Sequence, residues 1–140
     1  MTELQQRIVA VARACMDTPF RHQGRLPGVG LDCAGLCIVA LRAAGVGMRD
    51  VKAYGRVPNE GRLQQAIDAQ PGLRRIALAD AGAGDVVLIR FGSEPSHVGI
   101  LSASDCIIHA YERIGRVVEH RIDATLQLQI VAAWRAQVQA

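Results

Sequence analysis

The sequence predicts one α+β domain spanning residues 1–140, with helices in its first part and an antiparallel sheet of five strands behind them. Three observations carry that expectation. Apolar residues recur at helical spacing near the N-terminus, and beyond Ala79 they recur instead in short runs divided by turns. Between Cys33 and Ala44 the only charged residue is Arg42, which marks a helix buried on most sides. Tight turns such as Ser102-Ala103-Ser104-Asp105 join successive strand runs, as in a meander.

Composition is consistent with a chain that folds around an aliphatic core. Half of the residues are apolar and only 4% are aromatic, so Val, Ile, Leu and Ala must fill the interior. At 140 residues the chain is long enough to bury such a core without covalent staples. Its net charge of +3 arises from scattered Lys and Arg residues, which gives no expectation of a nucleic-acid partner. The polar stretch Met1 to Arg7 has no apolar signal segment behind it, and no run reaches the roughly 20 apolar residues of a membrane span. The expectation is a chain made in the cytoplasm, without a membrane partner. Cys15, Cys33, Cys37 and Cys106 all lie in apolar stretches, where free thiols are expected rather than a disulfide framework.

Taken in order, Thr2 and Gln5 have capping-box spacing, and Leu4, Ile8, Val11, Ala12 and Cys15 follow on one helical face to about Met16. Asp17 to Gly30 holds two prolines and three glycines and reads as an irregular loop. Asp32 is a natural N-cap for the apolar helix, which should stop near Ala44 before Gly45 and Gly47. Met48 to Pro58 reads as connector. Asn59 can cap a short helix to about Ala69, with Leu63, Ala66 and Ile67 facing inward, before Pro71-Gly72. Strand runs follow at Asp85–Phe91, His97–Leu101, Cys106–Glu112, Arg116–Ile122 and Leu126–Arg135. In the last run Leu126, Leu128, Ile130, Ala132 and Trp134 alternate with Gln127, Gln129, Val131, Ala133 and Arg135, the pattern of one buried face.

Chemistry is concentrated at a few positions. Cys33 falls in the first turn of the apolar helix, where unpaired N–H groups and the helix dipole favour a thiolate, so it is a candidate nucleophile. The same segment also fits a small buried hydrophobe. A hairpin turn centred on Ala103 pairs residues whose numbers sum to 206, which makes His97 and His109 direct cross-strand neighbours, their Cβ atoms about 4.5–5.5 Å apart. Gly99, Leu101, Ile107 and Tyr111 share that face. If that face packs on the apolar helix, two imidazoles converge on Cys33 and supply a base and an orienting group. A Cys-His-His zinc site is the rival reading of these three residues. His22 and His120 are expected at the surface or in supporting positions, and Asp85 is expected to open a strand through a local turn hydrogen bond.

The ordered segments Asp32-Cys33-Ala34-Gly35-Leu36, Gly84-Asp85-Val86-Val87, Ser96-His97-Val98-Gly99-Ile100 and Ile108-His109-Ala110 resemble the motifs of the NlpC-type cell-wall cysteine peptidases. That resemblance implies a papain-like fold and a triad of nucleophile Cys33, base His97 and orienting residue His109, with no metal and no cofactor. It places Phe20, Asp32 and Ser96 beside the triad as substrate-binding or supporting residues. Thr18-Pro19-Phe20-Arg21 resembles the family's Thr-Pro-Tyr stretch, but Phe20 stands where tyrosine is usual and lacks its hydroxyl. Arg21-His22-Gln23-Gly24-Arg25 and Pro27-Gly28-Val29-Gly30 resemble the branch carried by tailed phages and prophages.

The resemblance implies an endopeptidase acting on peptidoglycan stem peptides, typically at the γ-D-glutamyl-diaminopimelate bond. It implies delivery on a virion tail, with other tail proteins as partners. Two alternatives remain at this stage. One is a structural tail-assembly protein with little activity, and the other is acyl transfer or amidase chemistry on a different substrate.

Overall fold

A computed structural model describes residues 1–51 and 61–138. In chain order it contains α1 (Glu3–Ala14), β1 (Arg25–Leu26), β2 (Gly30–Leu31), α2 (Cys33–Ala43), α3 (Arg62–Asp68), β3 (Leu73–Ile76), β4 (Val86–Ile89), β5 (His97–Ala103), β6 (Cys106–Tyr111), β7 (Arg116–Arg121), α4 (Ala124–Gln129) and β8 (Ile130–Ala136). The architecture is the expected α+β arrangement of helices on an antiparallel sheet, but the sheet has six strands, in the order β3-β8-β4-β5-β6-β7.

The predicted capping box opens α1, with Thr2 accepting from the Gln5 N–H and Gln5 reaching back to the Thr2 N–H. Asp32 caps α2 by accepting from the Gly35 N–H at 2.7 Å. Helix α2 lies on the sheet face that carries Val86, Leu88, Val98, Ile100, Ile108, Ala110, Ala132 and Trp134, and Leu36, Cys37, Ala40 and Leu41 complete that core. The Trp134 indole N–H reaches Asp68 Oδ1 at 2.9 Å and ties β8 to the end of α3. All four cysteines are free thiols, and among the described residues no helix is long and apolar enough to cross a membrane.

Several expectations need correction. The fifth strand run was read from Leu126, yet residues Ala124–Gln129 form α4 and the strand begins only at Ile130. Asp123 caps this short helix through the Leu126 N–H, leaving Leu128 84% exposed. β8 is also buried on both faces, because Val87, Ile89, Leu101, Ile107, Leu126, Ile130 and Ala133 form a second core on the side of the sheet away from α2. The additional strand, β3, pairs along β8 at the sheet margin; Arg74 is exposed, and Arg75 lies over the Trp134 ring and pairs with Asp68. The loop between Asp17 and Gly30 contains the small antiparallel ladder β1–β2. Asn59 and most of the connector lie outside the described residues, and α3 has Gly61 at its N-cap.

A further correction concerns the histidine hairpin. β5 and β6 pair as Ile100↔Ile108 and Leu101↔Ile107, so partner numbers sum to 208 rather than 206, and the register slips again before Ala103↔Cys106. A shift of two residues preserves side-chain parity, so His97 and His109 still share a face. It makes them diagonal neighbours instead of direct ones.

Candidate active site

The loop leading into α2 is built around one carboxylate. Asp32 is 3% exposed, and each of its oxygens accepts hydrogen bonds. Oδ1 takes the Gly35 N–H and Arg25 Nη1 at 3.0 Å, while Oδ2 takes the Gln23 N–H at 2.8 Å. Arg25 also donates to Gly24 O, Asp50 Oδ1 and Val51 O, so a single guanidinium ties the helix cap to two neighbouring segments. A Cβ on Gly35 would strike Gly24 O, which explains why a glycine sits two residues past the cysteine. Phe20 packs at the margin of the core, bridges to Leu31 and donates its N–H to Gly115 O. Thr18 is buried and accepts the Gly28 N–H at 2.8 Å. Together these contacts fix the chain on either side of the turn into α2.

Cys33 is half-buried at the start of α2. Crowding by protein atoms pushes its thiol up to about 11, and the Asp32 carboxylate adds to the rise. The N–H groups of Val98, Ala34 and Cys33 itself face the sulfur and act in the opposite direction, favouring the thiolate. Val98 can serve because of its place in the sheet. The Leu101 N–H of β5 goes to Asp85 O on the β4 side, so even-numbered residues of β5 turn theirs toward β6. The paired residues of β5 and β6 begin at Ile100↔Ile108, leaving Val98 beyond that ladder.

The two predicted histidines do not face the middle of α2. They share the opposite face with Ile89, the direct partner of His97, and with Leu101 and Ile107. The contact between the cysteine and histidine segments is made at the beginning of β5, through the N–H of Val98, the residue after His97. Among the described residues no hydrogen bond joins the Cys33 sulfur to the His97 ring. The Ser96 N–H, donated to Ile89 O at 3.1 Å, anchors the chain just before His97.

On that face His97 and His109 meet directly, with His97 Nε2 2.7 Å from His109 Nδ1. Gly99 permits the approach, since a Cβ there would stand 2.6 Å from the Ile107 side chain and 3.2 Å from His109 Cβ. Tyr111 stacks on His109, and Phe91 lies against both His97 and Tyr111. Both histidines are buried, at 7% and 1% exposure. Burial, together with the neighbouring ring, lowers His97 to about 3 and His109 to about 4, so both rest as neutral imidazoles.

Sequence reasoning left His120 among the supporting or surface residues, and the structure joins it to the pair. His109 Nε2 lies 2.8 Å from His120 Nε2, and His120 Nδ1 lies 2.8 Å from Arg121 O. The signal was present in the next hairpin. β6 and β7 pair as Ile107↔His120 and His109↔Val118, which makes His120 a diagonal neighbour of His109 on the same face. With all three rings neutral, the carbonyl at the end sets every tautomer. It can only accept, so His120 Nδ1 carries a hydrogen and Nε2 accepts from His109. His109 Nδ1 must then accept from His97 Nε2–H, which puts the His97 lone pair on Nδ1. The ring nitrogens bond one another in series, and among the described residues no set of three or more His, Cys, Asp or Glu is arranged to hold a metal ion.

His22 is half-buried beside Phe20, Arg21 and Glu112 along an open cavity of about 710 Å³. Asp85 forms the expected local turn, accepting from the Gly82 N–H at 2.9 Å, and also receives a two-pronged bond from Arg135 at 3.0 and 2.9 Å.

Comparison with known proteins places this arrangement. The fold superposes on the NlpC/p60 domain of the peptidoglycan hydrolase SagA with a TM-score of 0.62 at 25% identity, covering 92% of this chain and 96% of that one. It also superposes on an NLP/P60 lipoprotein-like protein of Staphylococcus aureus (TM-score 0.68, 23% identity, 97% of this chain and 42% of that one). The peptidoglycan hydrolase RipB of Mycobacterium tuberculosis gives a TM-score of 0.66 at 18% identity, over 99% of this chain and 66% of that one. The chain thus spans under half of the staphylococcal protein. Among curated proteins there is no significant match. The sequence profile described as the NlpC/P60 family matches residues 17–135, which include Cys33, His97, His109 and His120, and the chain belongs to that family.

Proposed function

We propose that the protein is a cysteine peptidase that hydrolyses peptidoglycan stem peptides, with Cys33 as nucleophile, His97 as base and His109 as orienting residue. The observation that carries this reading is the junction of two motifs. A cysteine in the first turn of a capped helix lies against the start of β5, and the histidine there leads a chain of hydrogen-bonded rings. Family membership and the hydrolase named among the structural neighbours support the same chemistry.

In the proposed reaction the Cys33 sulfur attacks the scissile carbonyl carbon as its proton passes to Nδ1 of His97. N–H groups at the start of α2 stabilise the developing oxyanion. His97 then returns the proton to the departing amine, leaving a thioester. Water attacks the thioester, His97 takes its proton, and release of the carboxylate product restores the thiol. Phe20 and Ser96 flank the substrate, while Asp32 holds the helix start in place. The bond cleaved is the γ-D-glutamyl-diaminopimelate linkage, and the chain reaches the wall as part of a phage or prophage tail.

A second reading, a structural tail protein with weak or no activity, is favoured by one observation. The thiol stands at about 11 and His97 at about 3, so the resting pair is neutral rather than an ion pair. Iodoacetamide alkylation of Cys33 followed over pH separates the two. A reactive thiolate well below pH 7, with release of muropeptides from purified peptidoglycan, is expected. An ordinary thiol titrating near 8.5 with no muropeptide release would favour the structural reading.

A further inference from the structure

We propose that His120 is a positioning residue of this site, holding at the exposed end of the three-ring chain the positive charge created when Cys33 loses its proton. The proposal rests on the cysteine-peptidase reading and extends it beyond the triad.

The geometry supplies a continuous path. His97, His109 and His120 are joined nitrogen to nitrogen at 2.7 and 2.8 Å, and the chain ends on Arg121 O. Exposure rises abruptly along it, from two rings within the sheet core to one on the margin strand β7. The proton balance closes without any electron transfer. The Cys33 S–H bond breaks and His97 Nδ1 gains the hydrogen. The hydrogen on His97 Nε2 crosses to His109 Nδ1, and that on His109 Nε2 crosses to His120 Nε2. His97 and His109 end neutral with their hydrogens on Nδ1, and His120 becomes an imidazolium with Nδ1–H still on Arg121 O. The reverse sequence returns a proton to His97 for the leaving amine.

Desolvation decides where the charge resides. The rings of His97 and His109 are enclosed by Phe91, Tyr111 and the sheet, and burial disfavours a cation on either. His120 reaches water. The groups around it leave room for one more positive charge. Ile107 and His109 face it from β6, and Arg116 on its own side of β7 is engaged by Asp17. On the other side Glu119 is engaged by Arg13, and Arg121 by Asp105. Asp123, at the start of α4, spends Oδ1 on the Leu126 N–H.

The test compares iodoacetamide alkylation of Cys33 from pH 5 to 11 in the full chain, in His120→Gln and in His120→Ala. The glutamine amide oxygen still accepts from His109 Nε2–H but cannot take a proton. Alkylation of His120→Gln is expected to be at least about tenfold slower at pH 6.5, its low-pH limb displaced upward by about one unit or more. Rates should draw together toward pH 11, where the thiol begins to ionise without a partner. His120→Ala should be no faster. Cys37 reports folding, since it stays unlabelled while its core is intact. A reactive wild type with a superimposed His120→Gln profile overturns the proposal and leaves the triad standing. An ordinary thiol in the wild type removes the peptidase reading, and this proposal with it.

Discussion

Replacing Arg25 by methionine tests whether the helix cap depends on its buried counter-charge. The guanidinium and Asp32 are 3.0 Å apart, with side chains only 14% and 4% exposed. At an effective dielectric of about 20 this separation corresponds to roughly 5 kcal/mol of attraction. Methionine fills much of the same volume but takes the guanidinium away from a buried carboxylate, which keeps the Gly35 and Gln23 N–H groups. Removal of one member of a buried pair typically costs about 3–5 kcal/mol, and the two remaining donors place the expectation near about 3. For a chain of this size that lowers the melting temperature by roughly 10 °C. Urea unfolding of Arg25→Met, Asp32→Asn and the double variant provides the measurement. The double variant should be more stable than Arg25→Met, because asparagine still caps α2 and no uncompensated charge remains. Alkylation of Cys33 should also slow in Arg25→Met, since the unneutralised carboxylate raises the thiol further. Arg25→Met within about 0.5 kcal/mol of wild type, or additive losses in the double variant, would refute the reasoning.

Other expectations concern the proposed catalytic residues and the buried rings. Cys33→Ala should abolish muropeptide release while its unfolding free energy stays within about 1 kcal/mol of wild type, as judged by turnover and urea titration. His97→Ala should reduce turnover by about 10³-fold, and His109→Ala by less, because losing the proton acceptor outweighs losing its orientation; the reverse ranking would exchange their roles. Cys37→Ala should cost about 1 kcal/mol of stability and leave turnover intact, whereas lost activity at normal stability would contradict its place in the core. His97 and His109 titrate below their unfolded values when folded, so the unfolded chain binds more protons and stability falls as the solution is acidified below about pH 6.5. Between pH 6 and 5 the two rings contribute a slope of up to about 2.7 kcal/mol per unit, and a flat stability profile over that interval would show that they are not buried as neutral groups.

Much of this architecture was legible from local signals, and the exceptions have definite causes. The capping box of α1 and the aspartate at the start of α2 act through residues three positions apart, so spacing alone locates them. The histidine face survived an error of two residues in the hairpin register because parity, not pairing, decides the face. Parity could not say which face the apolar helix covers, since that depends on how distant elements pack. The stretch from Leu126 imitated a strand by alternating leucine and glutamine, and the capping aspartate before it was the overlooked counter-signal. The short β3 carries two arginines in four residues, and only its pairing with β8 makes it a strand. The contact of His120 with His109 was missed because it comes from register in a second hairpin rather than from any motif of its own.

The segment ahead of α2 also guards the sheet against self-association. β7 ends the sheet, and an uncovered margin strand offers unpaired N–H and C=O groups to any other chain. Residues 17–20 lie along it instead. The Asp17 N–H goes to Val117 O, the Val117 N–H to Thr18 O, and the Phe20 N–H to Gly115 O. This lining is too irregular to count as a strand, yet it occupies the positions where a second sheet would begin to zip. At the far margin, the exposed Arg74 of β3 presents a charge to an approaching copy. Changes that loosen the Thr-Pro-Phe stretch would therefore do more than disturb the proposed site: they would uncover a template for intermolecular β-pairing, and the first symptom would be loss of solubility.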